Sequence, residues 1–161
     1  MIIESVKLTD ADEILSIYAP YVKDTLVSLE TKVPEKEDFE KRIKDISSEY
    51  PYYVCRKNGK ILGYAYASRY RVRDGYRFTV ECSVYVSSDV HRQGVGTMLY
   101  EALFEELKKR GFHTALVVIV YPNEDSIAFH KALGFEEVGY FKEVGYKFGK
   151  WMDVVWLEKK L

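Results

Sequence analysis

Apolar and polar positions along this chain follow two periods, and the switches between them mark out strands and helices. Residues 2–7 read as a first strand. Thr9 is placed to cap a helix, with Asp12 three residues on as a weaker relative of the capping box. Ile14, Ile17, Tyr18 and Tyr21 fall on one face of that helix, and Pro20 is expected to end or kink it. Pro34 opens a second helix with Phe39, Ile43 and Ile46 on one side. Residues 52–57, Asn58-Gly59 and residues 61–70 carry the strongest hairpin signal, because Asn-Gly suits a type I′ turn. A further strand covers about 76–86, and 87–96 reads as a loop.

A third helix turns Leu99, Leu103 and Leu107 inward, carries Lys108, Lys109 and Arg110 in its last turn and closes at Gly111. Residues 114–121 are continuously apolar, as in a central strand buried on both faces. Pro122-Asn123 breaks that strand, and a short helix over 126–133 is closed by Gly134. Strands near 136–140 and 152–158 finish the chain. The order β-α-α-β-β-β-α-β-α-β-β predicts a mixed α/β (α+β) fold: a mixed sheet with helices on both faces. No repeat, low-complexity stretch or Pro/Gly/Ser-rich linker divides it, so residues 1–161 are expected to form a single domain.

Composition narrows the function classes. The chain is 47% hydrophobic and 30% charged, which is globular rather than disordered. Lys and Arg total 24 against 25 Asp and Glu, so net charge holds it neither to nucleic acid nor to membrane. Cys55 and Cys82 form no CxxC pattern, so no metal is expected and buried free thiols are the reading. The N-terminus does not read as a signal peptide, and the longest apolar run is far too short to span a bilayer, so a cytoplasmic location is expected.

The most informative segment runs from Val84-Tyr85-Val86 into His91-Arg92-Gln93-Gly94-Val95-Gly96-Thr97 and then a helix. Free N–H groups at a helix N-terminus and the positive end of its dipole point at one spot, and glycine lets an anion approach the backbone. Arg92 adds a charged donor suited to phosphate. The loop lacks GxxxxGK[ST] and a complete GxGxxG, which excludes a Walker A loop and disfavours a dinucleotide fold.

Arg92-Gln93-Gly94-Val95-Gly96-Thr97 is similar to the Q/R-x-x-G-x-G/A signature of the GNAT acetyltransferases. TLVSLET at 25–31, Gly63-Tyr64-Ala65-Tyr66-Ala67, YRFTVECSVYV at 76–86, Pro122-Asn123 with Ser126, HKALGF at 130–135 and Gly149-Lys150-Trp151-Met152-Asp153-Val154 resemble phosphinothricin acetyltransferases more narrowly. The resemblance covers nearly the whole chain. It implies the GNAT fold, with a mostly antiparallel sheet of six to seven strands. It implies acetyl-CoA as co-substrate and direct attack of an amine on the thioester.

The same resemblance assigns residues. Val84, Tyr85 and Val86 would pair with the pantetheine arm, residues 92–97 would hold the pyrophosphate, and Asn123 would bind the arm from the opposite strand end. Glu81 is the first choice of base, in an otherwise apolar strand. His130 is the second, as base or as the group that protonates the leaving thiolate. Ser28, Glu30, Arg71, Arg73 and Tyr76 fall on the acceptor side, where Glu30 would meet the incoming ammonium or an arginine of that cluster. Phe78 stands where the family often has Trp, and Leu29 where it often has Phe, so the acceptor is less fixed than the chemistry. A small amino-acid-like acceptor of phosphinothricin or methionine sulfoximine type is expected, with detoxification as the role. A peptide N-terminus, a polyamine or another small amine is the alternative acceptor, and a non-catalytic CoA-binding sensor the alternative of another class. The resemblance also implies a homodimer, and the aromatic, basic segment 140–151 reads as a sheet-edge hairpin covering the site or a dimer contact.

Overall fold

The computed structural model describes residues 1–90 and 92–161; His91, which begins the loop motif, lies outside them. The strands are β1 (Ile2–Ser5), β2 (Tyr52–Lys57), β3 (Lys60–Arg69), β4 (Thr79–Val86), β5 (Thr114–Tyr121), β6 (Glu136–Lys147) and β7 (Lys150–Lys160). Four α-helices accompany them among the described residues: α1 (Ala11–Asp24), α2 (Lys36–Ser47), α3 (Val95–Lys109) and α4 (Glu124–Ala132). The element order is the one the apolar pattern predicts.

The strands form one sheet in the order β1-β2-β3-β4-β5-β7-β6. Every pair is antiparallel except β4 with β5. Asn58 and Gly59 take φ of 50° and 79°, the left-handed values an Asn-Gly hairpin turn requires. On one face of the sheet, α3 sets Leu99, Leu103 and Leu107 against Val80, Ala115 and Val117. On the other, α1 and α2 set Ile14, Tyr18, Phe39 and Ile43 against Val54 and Tyr64. Each such buried side chain contributes roughly 1.5–3 kcal/mol of transfer free energy.

Several boundaries differ from expectation. Thr9 does not cap α1; it lies in a 3₁₀ turn, Leu8–Asp10, whose Asp10 carboxylate accepts the Lys7 N–H at 2.9 Å. Pro20 does not end α1, which continues to Asp24 because Tyr18 and Val22 remain buried on its inner face. α2 starts at Lys36, after Pro34 rather than on it. β4 begins at Thr79 because Asp74–Tyr76 closes a 3₁₀ turn. α4 starts at Glu124, where the Asn123 side chain accepts the Ser126 N–H. β6 and β7 extend well past the expected 136–140 and 152–158, pairing from Glu136↔Glu158 to Lys147↔Lys150.

Candidate active site

β4 and β5 pair only from Thr79↔Thr114 to Glu81↔Leu116 and then part. Ser87 donates its N–H to Leu62 across the β3 side, at 2.9 Å. Antiparallel alternation then turns the Val84 N–H to the opposite edge, into the gap. The gap holds a cavity of about 70 Å³ lined by Ser83, Val84, Tyr100, Val117, Asn123 and His130. A larger cleft of about 560 Å³ shares Val27, Val84, Asn123 and His130 with it and reaches Arg92 and Thr97.

At the far end of this cleft Gly94 takes φ of 79° at the N-cap of α3, and no side chain among the described residues caps the helix. The first N–H groups of a 15-residue helix thus face the cleft with the positive end of its dipole. A Cβ on Gly96 would lie 3.1 Å from Phe129 Cζ, so glycine lets α3 sit close to α4 here. The Val95 side chain is buried in the core, which leaves only its backbone to a ligand. Gln93 is exposed and does not line the cleft.

His130 is buried at the thiol-sized cavity. Its Nδ1 lies 2.7 Å from the Ser126 carbonyl oxygen, and its Nε2 3.2 Å from the Tyr100 hydroxyl. Burial pushes the imidazole below its ordinary value, against the Ser126 bond that raises it. Glu81 stands at the last position of β4 that pairs with β5, half-buried. Its carboxylate has no hydrogen-bond or ion-pair partner among the described residues, and burial pushes its pKa upward.

Residues 25–30 follow α1 and pack Leu26 and Leu29 against Val120, Met152 and Val154 of β5 and β7. Glu30 receives Arg42 through two hydrogen bonds, 2.5 and 3.0 Å, and the Tyr18 hydroxyl at 2.6 Å. The structure therefore corrects the expected partner: Glu30 pairs with Arg42, not with Arg71 or Arg73. Ser28 is buried, with its Oγ 2.7 Å from the Tyr18 hydroxyl. Arg71 lies 5.2 Å from the Tyr70 ring centroid, and Tyr76 packs edge-on to the same ring. Arg73 sits exposed at the start of the 3₁₀ turn.

A family model described as an acetyltransferase (GNAT) domain matches residues 3–156. The chain belongs to the GNAT acetyltransferase family. It is an N-acetyltransferase by that membership and by its relatives. A phosphinothricin N-acetyltransferase of Alcaligenes faecalis is 37% identical over 154 residues, 94% of this chain and 78% of the relative. The crystal structure of a ribosomal-protein-alanine N-acetyltransferase from Brucella melitensis superposes with TM-score 0.97 at 33% identity, covering all of both chains. A GNAT superfamily phosphinothricin acetyltransferase from Sinorhizobium meliloti, in complex with AcCoA, superposes with TM-score 0.94 at 34% identity, over 99% of this chain and 88% of that one.

Within this GNAT domain the gap gathers Val84, Asn123 and His130, while the cleft gathers Arg92, Gly94, Gly96 and Thr97. Tyr85 packs edge-on to Tyr18 and Tyr21 of α1 and also lines the cavity in the gap. The sequence reading missed Tyr18, Arg42, Tyr100 and Lys147. Tyr18 and Tyr100 sit at apolar helix positions that read as core, and Lys147 falls within the segment 140–151 that reads as a sheet-edge hairpin. Only the non-local pairings reveal them.

Proposed function

We propose that residues 1–161 form one catalytic domain that transfers the acetyl group of acetyl-CoA to the amino group of a small amino-acid-like acceptor of phosphinothricin or methionine sulfoximine type. The parting of β4 from β5 beside the uncapped N-terminus of α3 carries this reading. An open strand edge suits the amide groups of a pantetheine arm, and the helix terminus with Arg92 suits a pyrophosphate. The cleft between them fits that donor set.

Acetyl-CoA supplies an acetyl group activated as a thioester. The Val84 N–H stabilises negative charge developing on the thioester oxygen. The backbones of Tyr85 and Val86 continue the edge, Arg92 and the backbone of residues 94–97 hold the phosphates, and Asn123 offers its amide N–H. On the acceptor side Glu81 takes one proton from the ammonium, directly or through a water, and releases it to solvent. His130 takes the second proton from nitrogen and returns it to sulfur as the carbon–sulfur bond breaks. Two protons leave nitrogen, one reaches sulfur, and the charges balance.

Arg71, Arg73 and Tyr76 would hold the acid group of the acceptor, and their charge disfavours a polyamine. Ser28 and Glu30 shape that side through the loop rather than by direct pairing. Detoxification of such amino acids is the physiological role we infer. A second reading, acetylation of a peptide N-terminus, draws on the likeness to the Brucella melitensis enzyme. We further propose a homodimer: Tyr146, Phe148 and Trp151 leave the β6–β7 hairpin more than half exposed, at 56%, 56% and 63%. The two buried free cysteines suit a cytoplasmic enzyme. Replacing Arg71 and Arg73 together by Ala tests the acceptor assignment. The KM for methionine sulfone should rise at least about tenfold with the KM for acetyl-CoA unchanged; an unchanged acceptor KM would remove the carboxylate clamp.

A further inference from the structure

His130 has its tautomer fixed by geometry. A carbonyl oxygen only accepts, so the 2.7 Å contact with Ser126 requires the proton on Nδ1. In the neutral ring Nε2 is then the acceptor, and the Tyr100 hydroxyl 3.2 Å away must donate to it. Tyr100 is itself fully buried, stacked on Phe104 at 4.9 Å between ring centroids and near Phe129 and Phe135. Its hydroxyl has no other hydrogen-bond partner among the described residues. The imidazole lies edge-on to Tyr100, Phe129 and Phe135, so its plane is held as well as its protons.

We propose that Tyr100 is the positioning residue of the thiol side: its hydroxyl holds His130 neutral, protonated at Nδ1, with Nε2 as the only ring nitrogen open to proton exchange. The proposal deepens the acetyltransferase reading and rests on it for its kinetic consequence. Any proton that His130 takes up enters at Nε2, where the hydroxyl stands at the cavity wall. Protonating Nε2 turns the Tyr100 O–H away from it into the aromatic wall, which opposes the charged form of the ring. Among the described residues the titratable groups that line this cavity beside His130 are Tyr100 from α3 and Cys82 and Tyr85 from β4, all of which burial pushes upward and keeps neutral. α4 and the turn into β6 present Ser126, Phe129 and Phe135, none of them charged.

Histidine ¹⁵N NMR on the unliganded protein tests this without any substrate, with the His130 signals assigned by their loss in His130→Asn. Wild type should show Nδ1 protonated and Nε2 as a hydrogen-bonded acceptor. In Tyr100→Phe, which removes one oxygen and keeps the ring, Nε2 should shift to an unbonded position and the ring should titrate at higher pH. The acid limb of kcat should move the same way, with kcat near pH 6 falling about tenfold and kcat near pH 8.5 much less. CoA affinity and melting temperature should stay close to wild type. A proton on Nε2 in wild type, or an imidazole titration unmoved in Tyr100→Phe, would overturn the proposal. Absence of turnover with every acceptor would instead count against the acetyltransferase reading, and the NMR result would still decide the role of Tyr100.

Discussion

Lys147 Nζ donates to the Ser28 carbonyl oxygen at 2.6 Å, across 119 residues of chain, and to the Thr25 carbonyl oxygen at the same distance. The end of β6 thereby pins the segment of residues 25–28 by its backbone. Lys147 is 2% exposed, so nothing in water replaces these bonds. Lys147→Met should cost about 2–3 kcal/mol in chemical unfolding, the range for losing charge-assisted bonds and leaving carbonyls unpaired. It should also raise the acceptor KM more than the acetyl-CoA KM, because Val27 and Leu29 lie between the two pinned carbonyls and beyond them.

Glu81 should trade stability for activity. Burial raises its carboxyl above the ordinary 4.5, so the neutral form suits the fold better. The stability from this group is fully present below the ordinary value and is lost as pH rises through the raised one. Glu81→Gln is neutral at every pH. It should melt about 1–2 °C above wild type near pH 8 and match it at acid pH. Its kcat should fall about a hundredfold. A variant that keeps wild-type kcat across the pH range would remove Glu81 from the chemistry.

Glu30 runs the other way. Burial alone would raise its carboxyl, but the Arg42 and Tyr18 hydrogen bonds and the Arg42 charge outweigh it and the group is lowered below 4.5. The stability it contributes is present above that value and is lost as pH falls through the lowered one. Glu30→Gln should therefore lower the melting temperature near pH 7, and the gap to wild type should narrow at strongly acid pH. Melting curves over that range decide it; a gap that does not change with pH would mean the ion pair adds nothing.

Asn123 has two separable tasks. Its Oδ1 caps α4 by accepting the Ser126 N–H at 3.2 Å, while its amide N–H is available to the cleft. Asn123→Asp keeps the cap oxygen and removes the donor, so stability should hold while the acetyl-CoA KM rises. Asn123→Ala should in addition lose about 1 kcal/mol. An unchanged KM in Asn123→Asp would make Asn123 a cap alone.

Element order and the hairpin at Asn58-Gly59 were legible because each rests on local periodicity or turn chemistry. The GNAT signature was legible because one contiguous loop carries it. The length of β6 was not: register shifts between Glu137 and Gly139 and between Phe141 and Gly145 break the alternation that marks a strand. Pro20 misled because a missing N–H is a local cost, and the burial of Val22 two residues later is a tertiary gain. The partner that Glu30 has in the structure, Arg42, lies on α2 and not in the cluster at 71–76. No spacing in the sequence distinguishes Arg42 from the other exposed arginines.

Release of free thiol from acetyl-CoA by the purified protein, against phosphinothricin, methionine sulfoximine, methionine sulfone, the common amino acids, spermidine and a short peptide, decides whether an amino-acid-like acceptor is acetylated. Turnover is expected with the amino acids that carry a tetrahedral phosphorus or sulfur group, and little with spermidine. Turnover confined to the peptide or spermidine would contradict the assigned acceptor, and tight CoA binding with no turnover on any of them would contradict catalysis itself.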